Sequence, residues 1–230
     1  MTVERTPPEL PSGVVTFLLT DIEGSSGLWE ERPRAMAAAL ARHDELIADR
    51  VASHGGVTLK AKGEGDATLS VFRRPSDAVE AALDLAEALY AEAWPEAITL
   101  RVRLAVHTGE AYERDGDYFG PTLNRAARVR SVASGGQIVL SEVTAQLVRD
   151  RLPADVGLAD LGRHALRGLS RDERLYSLVR HDSSRAEMLS DAAAAEDLVL
   201  SFPSALVAET RREFAGREPE VEWLLAAWDE

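Results

Sequence analysis

The feature that most narrows the fold is the run Gly13-Val-Val-Thr-Phe-Leu-Leu-Thr20, closed by the turn-forming stretch Asp21-Ile-Glu-Gly-Ser-Ser26. A strand with one face in water alternates apolar and polar residues, whereas this run is apolar almost throughout. It is therefore expected to be a buried central strand, with Asp21 in the loop that ends it.

Later segments of the chain must cover that strand. Leu28 to Val51 repeats at helical spacing, with Met36, Leu40, His43, Ile47 and Val51 on one stripe, until His54-Gly-Gly56 stops it. Val57 to Lys62 and Ala67 to Phe72 alternate on either side of Gly63-Glu-Gly65-Asp66, which predicts a hairpin with Asp66 beside its turn. Pro75-Ser76-Asp77 opens a helix that turns Val79, Leu83, Ala86 and Leu89 inward and closes at Trp94-Pro95. Ile98 to His107 alternates as a strand, a short strand spans Gly109 to Tyr112, and a glycine- and acid-rich loop runs from Arg114 to Pro121. That proline suits the first turn of a helix through Asn124, Arg128 and Val132, ended by Gly135-Gly136. A strand over Gln137 to Leu140, a capped helix over Ser141 to Asp150, and short strands near Leu158 to Leu161 and Leu175 to Val179 complete the pattern. A hairpin inside interleaved strands and helices predicts an α+β fold around a mixed sheet rather than a doubly wound parallel one.

Composition removes several function classes. The 230 residues carry 26 basic and 39 acidic side chains, a net charge of -13, which argues against a protein built to grip a phosphate backbone. No apolar run approaches the roughly 18 residues of a membrane span, and the first ten residues lack the basic start and apolar stretch of a secretion signal. With no cysteine, the chain has no disulfide framework, thiolate nucleophile or sulfur-rich metal site, as fits a cytoplasmic protein. There is no G-x-S-x-G elbow, and the five histidines show no paired metal spacing. Residues 181–230 hold 12 acids and 4 bases, which sets a compositional boundary near Arg180. The expected organisation is a leader over 1–12, a principal domain over 13–180, and an acidic linker with a C-terminal helical segment, Arg212 to Asp229, over 181–230.

Within the domain, a few residues are able to carry chemistry. Asp21 and Asp66 stand at the ends of neighbouring strands, the usual way to hold Mg²⁺ or Mn²⁺ while leaving positions for phosphates and water. Asn124 and Arg128 are four apart on a helix and share a face, so an amide and a guanidinium are presented together to a ribose and a charged phosphoryl group. Asp117 in the approach loop can accept from an exocyclic amine or cap a turn. Of the 26 basic residues only Lys60 and Lys62 are lysine, a compact point donor where the chain otherwise uses the planar arginine fork. His107 is read as a core histidine.

Together these pieces resemble one family. TDIEGSS followed by LWE, KGEGD, HTGE, and DYFGPTLNRAAR before SGGQIVLS are similar to the catalytic domain of class III nucleotidyl cyclases, particularly actinobacterial adenylate cyclase homology domains, over roughly residues 13 to 180. The resemblance implies a ferredoxin-like βαββαβ core with a mixed, mostly antiparallel sheet and flanking helices. It implies conversion of ATP to cyclic AMP and pyrophosphate at composite sites of a homodimer, with two Mg²⁺ or Mn²⁺ ions per site. By the same resemblance Asp21, Ile22 and Asp66 match the metal positions, Lys62 and Asp117 the adenine-selecting pair, Asn124 the ribose-orienting residue and Arg128 the transition-state arginine. Arg167, in Leu166-Arg-Gly168, matches a triphosphate-contacting position. The Gly-Glu-Gly-Asp turn departs from the commoner form of that loop, which keeps open a catalytically weak nucleotide-binding sensor, and a guanylate cyclase is the third alternative. The stretch Phe214 to Trp223 resembles the entry to an ATPase module, which leaves two readings of it, the start of downstream regulatory domains in a longer protein or an amphipathic helix that packs on the catalytic domain; neither membrane nor nucleic-acid binding by this chain is expected.

Overall fold

The structure is a computed structural model that describes residues 10–60, 65–95 and 98–181. The expected acidic linker and the helix over Arg212 to Asp229 lie outside the described residues. In order, the elements are β1 (Gly13–Ile22), α1 (Ser25–Glu31), α2 (Pro33–Ser53), β2 (Val57–Lys60), β3 (Thr68–Phe72), α3 (Pro75–Ala91), β4 (Val102–Arg114), β5 (Asp117–Phe119), α4 (Pro121–Arg130), β6 (Ile138–Ser141), α5 (Glu142–Val148), β7 (Val156–His164) and β8 (Glu173–Arg180). The sheet runs β2-β3-β1-β4-β6-β8-β7, with β5 paired to β4 off that path. β1, α2, β2, β3, α3 and β4 form the ferredoxin-like βαββαβ core. Of the strand pairings described, β4 with β6 is parallel and the rest antiparallel, so the fold is the expected α+β with a mixed sheet.

β1 is central, as its unbroken apolar run requires. It pairs with β3 on one edge and with β4 over ten residues on the other, from Gly13 opposite Ala111 to Ile22 opposite Val102. Its side chains divide between two cores. Leu18 and Ile22 join Met36 and Ile47 of α2, Val79 and Leu85 of α3, and Leu104 and Ile138 of the sheet. Val15, Phe17 and Leu19 pack on the other face with Leu69, Val71, Tyr118 and Ala126 of α4. Each such aliphatic side chain removed from water contributes about 1.5–3 kcal/mol, so covering both faces supplies much of the drive to this topology.

Three expectations are corrected. The helical repeat from Leu28 to Val51 is two helices, because Arg32 precedes Pro33 and takes φ -140°, ψ 58°, a conformation outside the helix. A residue before proline is pushed away from helical angles by the proline ring. The two strands read over Ile98 to His107 and Gly109 to Tyr112 are one thirteen-residue strand, β4, which begins only at Val102. The loop Arg114 to Pro121 contains a hairpin: Arg114 pairs with Asp117 across Asp115-Gly116, whose φ values of 57° and 76° suit a tight two-residue turn.

A buried polar chain ties β1, β4 and β6 to α5. His107 Nδ1 and Ser141 Oγ are 2.7 Å apart, Ser141 Oγ and Thr144 Oγ1 3.1 Å, and Thr144 Oγ1 donates to Thr108 Oγ1 at 3.1 Å, which lies 3.0 Å from Thr16 Oγ1. His107 is 4% exposed, as a core histidine should be. Burial, helped by the Arg125 charge, pushes its pKa down to about 4. The native imidazole therefore stays neutral while the unfolded one takes up a proton near its usual 6.5, and stability is lost as pH falls from about 6.5 towards about 4. Urea unfolding is expected to show about 2 kcal/mol of His107-dependent stability lost between about pH 7.5 and about pH 5. His107→Gln should remove that part of the slope while leaving the carboxylate-driven part at lower pH.

Candidate active site

The site is built at the end of β1 where the strand leaves the sheet. Alternation puts Asp21 on the same face as Val15, Phe17 and Leu19, the face covered by α4. The Asp66 carboxylate reaches across from the turn that precedes β3, and its Oδ2 accepts the Ile22 N–H at 2.9 Å. Two aspartates 45 positions apart are thereby drawn to one strand end. Gly24, with φ 69°, lets the chain turn directly into α1.

Asp21 is strongly paired. Arg103, its cross-strand neighbour on β4, donates Nε to Oδ1 at 2.8 Å and an Nη to Oδ2 at 2.5 Å. Arg130, the last residue of α4, holds its Nε 3.6 Å from the same Oδ2 and donates to the Thr20 carbonyl at 3.3 Å. The Asp21 side chain is 15% exposed and Arg130 13%, so these charges meet with little water between them. Glu23 continues the ring: it accepts from the Gly135 N–H at 3.1 Å, lies 3.5 Å from the Arg101 guanidinium, and donates its own N–H to the Arg101 carbonyl. A side chain at Gly135 would strike both Glu23 and Arg101, so only glycine lets this turn close on the loop.

The other expected residues stand on α4 and the neighbouring hairpin. Tyr118 anchors β5: it is buried, its hydroxyl donates to the Pro11 carbonyl, and its ring meets Phe17 edge-on at 5.1 Å. Burial, with a smaller push from Glu113, raises its pKa to about 12, so the phenol stays a donor. Fixing Tyr118 fixes Asp117 beside it, whose Oδ1 accepts the Tyr118 N–H at 2.9 Å. Thr122 of α4 donates to the Glu110 carbonyl, seating the helix start on β4. Along α4, Ala126 and Val129 are buried while Asn124 and Arg128 are exposed. At 100° per residue Arg130 lies about 200° round from Arg128, so the helix turns Arg130 towards Asp21 and presents Asn124 and Arg128 on the far side.

One chain thus brings Asp21, Ile22 and Asp66 together and does not turn Asn124 and Arg128 towards them. Arg167 is exposed on the turn between β7 and β8, held by the buried Leu166 before it and by Gly168 at φ 81° after it. Lys62 lies outside the described residues. Two carboxylates and the Ile22 carbonyl are hard oxygen donors able to hold Mg²⁺ or Mn²⁺. Among the described residues no three His, Cys, Asp or Glu side chains form a closed cation cage, and an ion that keeps waters and recruits substrate phosphates needs none. Arg103, Arg130 and Glu23 were missed in the sequence. Arg103 had a usable signal, because it is an arginine at a β4 position facing the aspartate end of β1. Arg130 had none, since its reach depends on where α4 sits.

Comparison with known proteins agrees over the same span. Residues 9–180 match the family model of the adenylate and guanylate cyclase catalytic domain. An uncharacterised protein of Mycobacterium tuberculosis is 46% identical over 180 residues, covering 78% of this chain and 60% of the relative. An adenylate cyclase of Lachancea kluyveri is 36% identical over 166 residues, 60% of this chain and 9% of that much longer protein. The chain therefore spans less than two thirds of these curated relatives. A solved adenylate cyclase structure from Trypanosoma brucei, described in its monomeric state, superimposes with a TM-score of 0.67 at 27% identity, covering 76% of this chain and 92% of that one.

The Asp66 contact to Ile22 carries a stability expectation of its own. Asp66→Ala should cost about 1–2 kcal/mol by leaving a partly buried N–H without its acceptor, whereas Asp66→Asn, which keeps an acceptor oxygen, should cost less than half of that. Thermal denaturation of the two variants measures the difference.

Proposed function

This chain belongs to the adenylate and guanylate cyclase catalytic-domain family, and from that premise we propose that it is an adenylate cyclase, working as a homodimer whose two sites each draw residues from both subunits. The observation that carries the reading is the orientation of α4. Arg130 points at the chain's own Asp21 while Asn124 and Arg128 point outward. A second copy related by a two-fold axis is the simplest way to bring an outward Arg128 to an Asp21.

In this reading Asp21, Asp66 and the Ile22 carbonyl would hold two Mg²⁺ or Mn²⁺ ions, and the ions would supply Lewis acidity toward the ribose 3′-hydroxyl and counter-charge for the triphosphate. Asp117 from the other subunit accepts from the exocyclic amine of adenine, a contact that guanine, with a carbonyl at that position, would not offer. Lys62 is its partner in base selection. Asn124 orients the ribose so that the hydroxyl is in line with the α-phosphate, and Arg128 meets the charge that develops as pyrophosphate leaves. Arg167 contacts the triphosphate. The reaction forms the 3′-oxygen to α-phosphorus bond and breaks the bond from the α-phosphorus to the bridging oxygen, the 3′-hydroxyl proton passes to solvent, and cyclic AMP and pyrophosphate are the products. Among the described residues no helix is long and apolar enough to cross a membrane.

A second reading, a nucleotide-binding sensor without turnover, is favoured by the existing pairing of Asp21 with Arg103. ATP binding with no cyclic product under Mn²⁺ would select it, and faster turnover of GTP than of ATP would select a guanylate cyclase.

Arg128→Ala is expected to lower turnover of ATP by about 10² to 10³ without loss of the dimer, the scale for removing one charge-stabilising donor. Asp21→Asn should be similarly inactive. Mixed together, the two variants should regain about a quarter of wild-type activity, because half of the two-fold dimers are mixed and each of those rebuilds one of two sites. Cyclic AMP assayed by chromatography checks this; a mixture as inactive as its parts would overturn the composite site.

A further inference from the structure

The rotation of α4 about its own axis decides where Asn124 and Arg128 point. Val129 and Ala126 are its buried residues, and two arginines bracket them. At 100° per residue, Val129 lies about 40° round from Arg125, Ala126 about 100° and Arg130 about 140°, so the buried arc falls between the two arginines. Each flank is tied to a different strand. Arg130 donates to the Thr20 carbonyl and lies beside Asp21 of β1. Arg125 reaches the other way, and one of its Nη atoms donates to Glu173 Oε2 at 2.8 Å, at the start of β8. β4 and β6 lie between these two anchor strands, so the stays grip the helix from opposite sides.

Glu173 shares its face of β8 with Leu175, which belongs to one apolar cluster with Val129 of α4. Its carboxylate is buried while Arg125 is half-exposed. Breaking the contact would strand a buried charge, which makes it a firm stay rather than a passing surface pair. Side chains reach about 5–6 Å from a helix axis, so a turn of about 10° moves a tip by about 1 Å. A misplacement of about 1 Å is enough to cost up to about 10²-fold in rate. We propose that the Arg125–Glu173 pair is a positioning device for the reaction, fixing the rotation of α4 and through it the direction in which Arg128 is offered to a second copy. The inference rests on the cyclase reading and deepens it, by giving the residue beside Asn124 a part in turnover that runs through Arg128.

The test is the kinetics of the full chain with ATP and Mn²⁺, and with GTP alongside. Glu173→Gln, which keeps the shape and removes the charge, is expected to lower kcat about ten-fold and leave KM within about two-fold, because what is lost is used only in the transition state. Arg125→Lys should stay within about three-fold of the wild type, since one ammonium can replace one Nη contact. In an Arg128→Ala background, Glu173→Gln should cost no more than about three-fold, as the group it positions is gone. An unchanged kcat for Glu173→Gln, or the full loss of about ten-fold in that background, overturns the proposal. Glu173→Met takes its place if circular dichroism shows the glutamine variant unfolded. The chain has no cysteine, so Arg128→Cys carries a nitroxide at one place, and its spectrum reports the seating of α4 without any need of turnover. If the wild type cyclises neither ATP nor GTP, the cyclase reading fails, and the pair stands as a restraint on α4 where Glu173→Gln loosens that spectrum. An unchanged spectrum overturns the restraint as well.

Discussion

Everything in this domain hangs on β1 being paired along both edges and covered on both faces. The ten-residue ladder with β4 places Asp21 opposite Arg103, the shorter ladder with β3 brings the Asp66 loop alongside, and the apolar residues between decide which face the Asp21 side chain takes. In a strand of period two, moving the register by one residue would send every one of these side chains to the opposite face. The site has no need of a rigid loop of its own, because a strand fixed along its whole length ends where the chemistry begins.

The electrostatics arise from the same placement. Acids at the strand ends are surrounded by arginines from β4 and α4, and Glu23 with Arg101 closes the ring against the turn at Gly135. The result is a charged cluster joined by short contacts to both the sheet and the helix. The outward side of α4 is left polar and accessible, and there Asn124 and Arg128 stand clear of their own chain's aspartates.

Much of this was legible in the residues themselves. β1 could be read because a strand buried on both faces needs no alternation, and α3 because its apolar stripe, from Val79 to Leu89, faces the sheet as its spacing required. Asp21 and Asp66 stood out by position after strand-like runs. Other features were hidden for physical reasons. The break at Arg32 is a backbone effect of Pro33 inside an otherwise continuous helical stripe, and the Asp115-Gly116 hairpin was passed over because its second strand is only three residues long. The pairings of Asp21 with Arg103 and Arg130 join positions 82 and 109 residues apart, and no local pattern records such distances. The opposed directions of Arg128 and Arg130 emerge only once Ala126 and Val129 have chosen which side of α4 is buried.

The strand order also governs how this domain must be made. β1 leaves the ribosome before the other described strands of this domain, and its neighbours come late: Phe17 meets Val71 on one side and His107 on the other. At about 5–20 residues per second, the strand waits on the order of 5 to 20 seconds for β4 to be synthesised. Throughout that interval the long apolar run of β1 has at least one open edge, a template on which a second nascent copy can pair. The segment that makes the site possible is thus also the one that most needs shielding during synthesis, and any change that delays β4 lengthens the time in which aggregation competes with folding.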